Sequence, residues 1–323
     1  MSIKKYLMLA IACVVMAAIA YPPFGVFATV NLGSPPDKPV GSFAPTYGNT
    51  GGTVTSNATH TFHTFTANEN FVACKAGTVM VECWGAGGGG GYANNQGGGG
   101  GGGGAYAMTP NVSVNAASYA IVRGTGGARD TAAIAGSSTF ATTTVVALGG
   151  TGVNSSTGGA GGVGASGTGT LKTSGGAGKN AQTDTDSGGG GGGTGGPDGA
   201  GRDGTVATSG VGGAGGRGDN NLGGLGGTVP SGDGGADTLR GGGGGAGNSA
   251  NSAAGGIGGL PGGGGAGTDD SGAGATGANG QVTVTCVTND FLSGNPVRSF
   301  GVIIGKIEVL WQVCVAHIGK VGI

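Results

Sequence analysis

Runs of glycine constrain this chain more than any other feature of its sequence. Glycine accounts for 86 of the 323 residues, whereas an average protein has roughly 7%. Glycine brings no side chain to bury and loses more backbone freedom on folding than any other residue. A conventional hydrophobic core is therefore excluded over most of the chain. Two outcomes remain: disorder, or a body held together by close backbone packing and hydrogen bonds.

Within the glycine-rich part, glycine recurs with a period of three. Residues 158–164 read Gly-Gly-Ala-Gly-Gly-Val-Gly, and residues 212–218, 223–227 and 255–259 repeat the pattern. A polyproline II helix has three residues per turn and no internal hydrogen bonds, so its backbone groups need partners on neighbouring helices. A Gly-Gly-x repeat leaves two faces bare for such neighbours and directs x outward. We therefore expect a bundle of short polyproline-II-like helices, with a disordered chain as the alternative.

Ordinary β-strand patterns bracket the glycine-rich part. Thr78–Trp84 alternates strictly, with Val79, Val81 and Cys83 on one face, and Gln281–Val287 alternates again at the far end. Further strand candidates are His60–Phe65, Phe71–Cys74, Ser118–Val122 and Thr142–Ala147. The predicted fold class is thus mainly β and irregular. A frame of β-strands encloses the polyproline-II-like bundle, and the bundle has no conventional hydrophobic core.

The N-terminal part resembles an export signal followed by a linker. Lys4 and Lys5 precede an apolar run, and the small-x-small sequence at residues 18–20 fits a cleavage site, so residues 1–20 are predicted to be a secretory signal. The alternative is an uncleaved anchor, which would be the chain's only membrane contact. Residues 21–57 contain six prolines among Gly, Ser and Thr and are predicted to be a linker.

The remaining chain divides into a glycine-rich domain at residues 58–288 and a hydrophobic C-terminal tail at residues 289–323. Within the tail, residues 306–315 mostly alternate between apolar and polar. We predict a strand there, with an amphipathic helix as the alternative.

The cysteines permit a disulfide framework if the chain is exported. Cys74, Cys83, Cys286 and Cys314 remain after removal of a signal, and three pairings are open if all four are bonded. Cys83 and Cys286 hold equivalent inward positions on the two framing strands. We predict a bond between them if those strands pair, with two buried thiols as the alternative.

No pattern of catalytic residues stands out in the sequence, and the chain is predicted not to be an enzyme and to need no cofactor. Residues 232–240 and, more weakly, 215–222 resemble a calcium-binding nonapeptide, which makes Asp219, Asp233 and Asp237 the candidate calcium ligands. The nine-residue period does not continue on either side, so calcium binding stays a minor alternative. With 14 Lys and Arg against 15 Asp and Glu, and no basic stripe, no nucleic-acid partner is expected.

The order of these pieces resembles the glycine-rich domain of bacteriophage tail-fibre and adhesin proteins and of related exported bacterial proteins. The resemblance covers about residues 58–288. Its motifs are Val79–Trp84 running into Gly85–Gly90, then Tyr119–Gly127, Gly136–Phe140, Ala147–Gly150 and Gly277–Val284. Cys74 stands where that family often has proline, and an export signal is atypical of phage fibres.

The resemblance implies a non-enzymatic structural and adhesive surface protein, with loops between glycine helices that contact a cell-surface glycan or protein receptor. A homo-oligomer is a second kind of partner to expect. The resulting location is extracellular or at the cell surface, with a virion as the alternative. Other functions left open are a secreted calcium-binding or ice-binding module and a purely structural filament or envelope component.

Overall fold

The structure, a computed structural model, describes residues 48–57, 59–93, 96–182, 187–248, 254–269 and 272–287. The described residues belong to one structural unit. The predicted signal and the C-terminal tail lie outside them. Within the described ranges, no helix is long and apolar enough to cross a membrane.

Ten β-strands and two 3-10 turns make up the regular structure of the described residues. The strands are β1 (Thr53–Ser56), β2 (His60–Phe65), β3 (Glu69–Val72), β4 (Gly77–Trp84), β5 (Tyr106–Val114), β6 (Ser118–Val122), β7 (Ser138–Phe140), β8 (Val145–Ala147), β9 (Leu171–Thr173) and β10 (Gln281–Val287), and the 3-10 turns are Gly164–Ser166 and Asp219–Asn221. The fold is therefore mainly β, as the sequence predicts.

The strands form two antiparallel sheets. Six strands pair in the order β1-β2-β10-β4-β5-β9, and four pair in the order β3-β6-β7-β8. The last strand, β10, lies between β2 and β4, so the strands that frame the glycine-rich part are direct neighbours. The two ends of the domain are thereby joined in one sheet.

A small aromatic and aliphatic core joins the two sheets. Val81 and Val284 of the six-stranded sheet and Phe71 and Phe140 of the four-stranded sheet are fully buried in one cluster. The Phe71 ring packs edge-on against the Phe65 ring, with 6.5 Å between their centroids. The alternation of β4 and β10 supplies these inward positions, because successive side chains of a strand point to opposite faces.

Two features of the strands do not follow from the sequence patterns. Thr53–Ser56, assigned by composition to the linker at residues 21–57, forms β1, because its backbone completes the edge of β2. Trp84 lies on the face of β4 opposite to Val81, yet only 1% of it is exposed, because the Tyr106 ring lies against it at 5.0 Å between centroids. Sequence alternation alone would leave that face in solvent.

The segments between the strands form a glycine body, defined here as the described residues of 85–105, 124–136, 148–164 and 174–280. Its backbone hydrogen bonds go to different neighbouring segments in a fixed order that repeats every three residues. Residues 98–104 show this rotation of partners best. Successive N–H groups of this segment donate to residues 262–268, then to residues 151–155, then to residues 176–179, at N···O distances of 2.7–3.0 Å. Each neighbour is met again at every third residue.

The carbonyl groups of residues 98–104 follow the same rotation with three other neighbours. They accept hydrogen bonds from residues 189–195, 88–91 and 159–162. The segment is thus surrounded by six others, all linked to it through backbone groups. A Cβ atom added to the glycines of this segment would meet carbonyl oxygens of these neighbours, so the close packing itself requires glycine.

Candidate functional site

The glycine body has two different ends. At one, the sheet end, its segments run directly into strands: residue 85 follows β4, residue 105 precedes β5, and residue 280 precedes β10. The opposite end, the turn end, carries reversals between segments that do not enter the sheets. Backbone pairing between segments decides which residues lie at each end.

Hydrogen bonds place several turns at the same level of the body. The bonds that define this level run from the N–H of Gly91 to the carbonyl of Gly99, from Gly98 to Thr268, from Gly99 to Ser155, from Asp130 to Gly90, and from Gly188 to Asn248. These residues belong to segments far apart in sequence. The body therefore brings them to one surface.

The described turns at this end carry exposed polar side chains. Asn154 and Ser155 are exposed in one turn, Thr208 and Ser209 in another, and Arg129 in a third. Hydroxyl and amide side chains donate and accept hydrogen bonds, and the arginine guanidinium donates them. The turn end thus presents polar groups on a backbone-bonded support, with Val206 and Val211 exposed beside Thr208 and Ser209.

The turns at the sheet end are instead tied to neighbouring elements. The Thr173 hydroxyl donates to the carbonyl of Gly196 at 2.9 Å. The Gln281 side chain donates to the carbonyl of Thr238 at 2.9 Å. The turn end is therefore the end of the body whose described turns are not tied to the sheets.

The structure does not bring together the two cysteines of the predicted Cys83–Cys286 disulfide, although their strands do pair. The register sets Cys83 opposite Val282, and Cys286 lies four residues further along β10, which is about 13 Å at a strand's rise per residue. A disulfide requires Cα atoms closer than about 7 Å. Both cysteines have free thiols, and Cys83 is fully buried in the core.

The three candidate calcium ligands do not share a site. The Asp233 carboxylate accepts the N–H of Ile257 at 2.9 Å, and the Asp237 carboxylate accepts the N–H of Leu239 at 3.1 Å. Asp219 is buried beside a different turn. Among the described residues, no group of three or more His, Cys, Asp or Glu side chains is placed to hold a metal ion.

Asp219 is the most unusual carboxyl group in the described structure. It is 0% exposed, its Oδ1 accepts the N–H of Asp198 at 2.8 Å, and its Oδ2 has no hydrogen-bond partner. Burial, reinforced by the nearby Asp198 carboxylate, raises the pKa of Asp219. The Arg240 guanidinium pairs with the Asp198 carboxylate, at 3.9 Å from Nε to Oδ2, and not with the Asp219 carboxylate. The ionised Asp219 is therefore poorly compensated.

We expect Asp219→Asn to stabilise the protein at neutral pH by about 1–2 kcal/mol, because a neutral amide replaces a buried negative charge that lies near the Asp198 carboxylate. A raised folded-state pKa contributes stability at low pH that is lost as the pH rises through it, so the gain should shrink as the pH falls and vanish below about pH 4, where the unfolded aspartate also binds its proton. Urea titrations across this pH range measure the effect. Asp233→Asn, at an exposed position, serves as the control, and an equal gain in both variants would contradict the explanation.

The two histidines of β2 face opposite sides of the sheet, as their spacing predicts. His63 is 1% exposed, with its Nδ1 2.8 Å from the carbonyl oxygen of Gly51. Half-buried His60 lines a groove of about 190 Å³ on the other face, together with Met80 and Pro110. Each histidine is accounted for by its packing.

Comparison with known proteins identifies the part of the chain described above. A family model described as a glycine-rich domain matches residues 55–287. The match begins within β1 and ends with β10. It therefore spans both sheets and the glycine body. No curated protein matches the chain.

Proposed function

This chain belongs to the glycine-rich domain family, and from that premise we propose that it is a non-enzymatic structural and adhesive surface protein. Its glycine body is a bundle of polyproline-II-like helices, and the turn end contacts a cell-surface glycan or protein receptor. The protein acts outside the cell or at its surface; a virion is the alternative location.

The rotation of hydrogen-bond partners carries the helical part of this proposal. Residues 98–104 return to each of their neighbours at every third residue, which is the repeat of a polyproline II helix. The outward x positions agree with this geometry, since Val163, Leu225 and Ile257 are exposed while the glycines beside them are packed. Bare backbones then pack side by side as they do at the collagen axis.

The turn end carries the adhesive part of the proposal. A ligand-binding surface gains affinity when its groups are held in place before binding, and binding residues are commonly found in loops on a rigid scaffold. The backbone bonds at Gly91, Gly98 and Gly188 hold such turns at one level. Their hydroxyl, amide and guanidinium groups suit the hydrogen bonds that a glycan or a polar protein surface offers.

Arginine substitutions at the two ends test the proposed binding surface. Ser209→Arg places a bulky cation in an exposed turn at the turn end, and we expect binding to a glycan array or to intact bacterial cells to fall at least about tenfold, or 1.4 kcal/mol. Ser166→Arg, in an exposed turn at the sheet end, is the matched control and should bind as the unmodified protein does. Equal losses in both variants, or no binding by the unmodified protein to either target, would reject adhesion through the turn end.

A further inference from the structure

Asn49 joins two cysteines that are far apart in sequence. Its side-chain oxygen accepts the N–H of Cys74 at 3.0 Å, and its amide nitrogen lies 3.1 Å from the sulfur of Cys286. The Cys74 sulfur contacts the carbonyl oxygen of Gly48 at 2.8 Å. Only the width of one amide group separates the contact to Cys74 from the contact to Cys286.

The backbone around these residues is fixed from both sides. Thr50 exchanges two hydrogen bonds with Val72, at 3.0 and 2.9 Å, which holds the segment before β1 alongside β3. Cys74 lies in the connection from β3 to β4, and Cys286 pairs with Thr61 near the end of β10. Strand pairing therefore holds in place Asn49, the residue that contacts both cysteines.

We propose that Cys74 and Cys286 form a disulfide bond when the protein meets an oxidising disulfide such as glutathione disulfide. The Asn49 side chain is the spacer between the Cys74 backbone and the Cys286 thiol in the reduced protein, and it moves aside as the bond forms. This pairing replaces the one that strand alternation suggested, and it does not depend on the adhesive role.

The exposure of the two thiols sets the order of the reaction. Cys74 is exposed, whereas Cys286 is half-buried and burial raises its pKa. The Cys74 thiolate attacks a sulfur of glutathione disulfide, and one glutathione thiolate leaves. The Cys286 thiolate then attacks the Cys74 sulfur of the mixed disulfide and releases the second glutathione. The two protein thiols lose two electrons and two protons, and glutathione disulfide gains them as two glutathione thiols.

The bond would fasten the connection between β3 and β4 to the last strand. Its loop contains the whole glycine body, and the unfolded chain loses more freedom when a longer loop is closed. We expect the melting temperature of the oxidised protein to exceed that of the reduced protein by roughly 10 °C.

Incubation of the full chain with glutathione disulfide tests the pairing directly. The expected product weighs two hydrogens less than the reduced protein, and its non-reduced peptide map links Cys74 to Cys286. Cys74→Ser and Cys286→Ser should each abolish the product. Cys83→Ala should still form it, because Cys83 is fully buried in the core.

Asn49→Ala distinguishes a disulfide that forms between neighbouring cysteines of the folded protein from one that forms by chance encounter in unfolded chains. Removal of the spacer should speed formation of the bond severalfold, whereas a pair that meets only in unfolded chains would react at an unchanged rate. Separate stable glutathione adducts on Cys74 and Cys286, or a peptide map that links either of them to Cys314, would overturn the proposal.

Discussion

Gly101→Ala is expected to unfold the glycine body, at a cost of more than about 4 kcal/mol. The added Cβ would lie against the carbonyl oxygen of Gly88, closer than a Cβ atom comes to any oxygen in a real protein. Gly101 also donates to Gly265 at 2.8 Å and accepts from Gly192 at 2.9 Å. The backbone therefore cannot move away without breaking bonds to two other segments.

Chemical denaturation of the purified variant, together with its soluble yield, measures this loss. Gly77→Ala is the matched control: this glycine begins β4, and an added Cβ would have no neighbour within 4 Å. We expect its denaturation midpoint to stay close to that of the unmodified protein. An unchanged midpoint for Gly101→Ala would show that the close packing of backbones in the glycine body is not what holds the domain together.

Phe71→Ala is expected to destabilise the protein by about 3–5 kcal/mol, the usual cost of removing a buried phenylalanine ring. Phe71 is 0% exposed and contacts the rings of Phe65 and Phe140, on the two different sheets. The edge of the His63 ring also packs against it, at 5.2 Å between centroids. Its removal leaves a cavity between the sheets in a core that has few other large side chains.

Thermal unfolding and urea titration both report this change. Val72→Ala is the control, because Val72 follows Phe71 in β3 but is 37% exposed on the other face, and we expect a loss below about 1 kcal/mol there. Comparable losses in the two variants would contradict the view that the sheets are joined through the aromatic cluster.

Several strands are predictable from sequence because their side chains alternate along the chain. His60–Phe65 and Ser118–Val122 are found as β2 and β6, and Gln281–Val287 is found as β10. The strand β5 was missed because Pro110 interrupts its pattern. Pro110 is tolerated because it lies beside the irregular pairing between Val79 and Val81 of β4, and proline fits a strand where the ladder of hydrogen bonds is broken.

Register and the shared surface at the turn end were beyond the reach of sequence patterns. Alternation along the strands predicts that Cys83 and Cys286 lie on the same face. The register between β4 and β10, which alternation does not give, separates the two cysteines along the strands and places Cys286 beside Asn49. Likewise, nothing local in the sequence relates Gly98 to Thr268 or Gly188 to Asn248.

The sequence by itself determined that this protein has strands at the borders of its glycine-rich part and that its glycine segments cannot supply a side-chain core. Side-chain periodicity and the lack of a Cβ atom are local properties, so they can be read from neighbouring residues. Only the tertiary structure decided which glycine segments are neighbours and which turns share a surface. Glycine segments carry almost no side-chain information, and their partners are chosen by long-range backbone hydrogen bonds that every such segment can make.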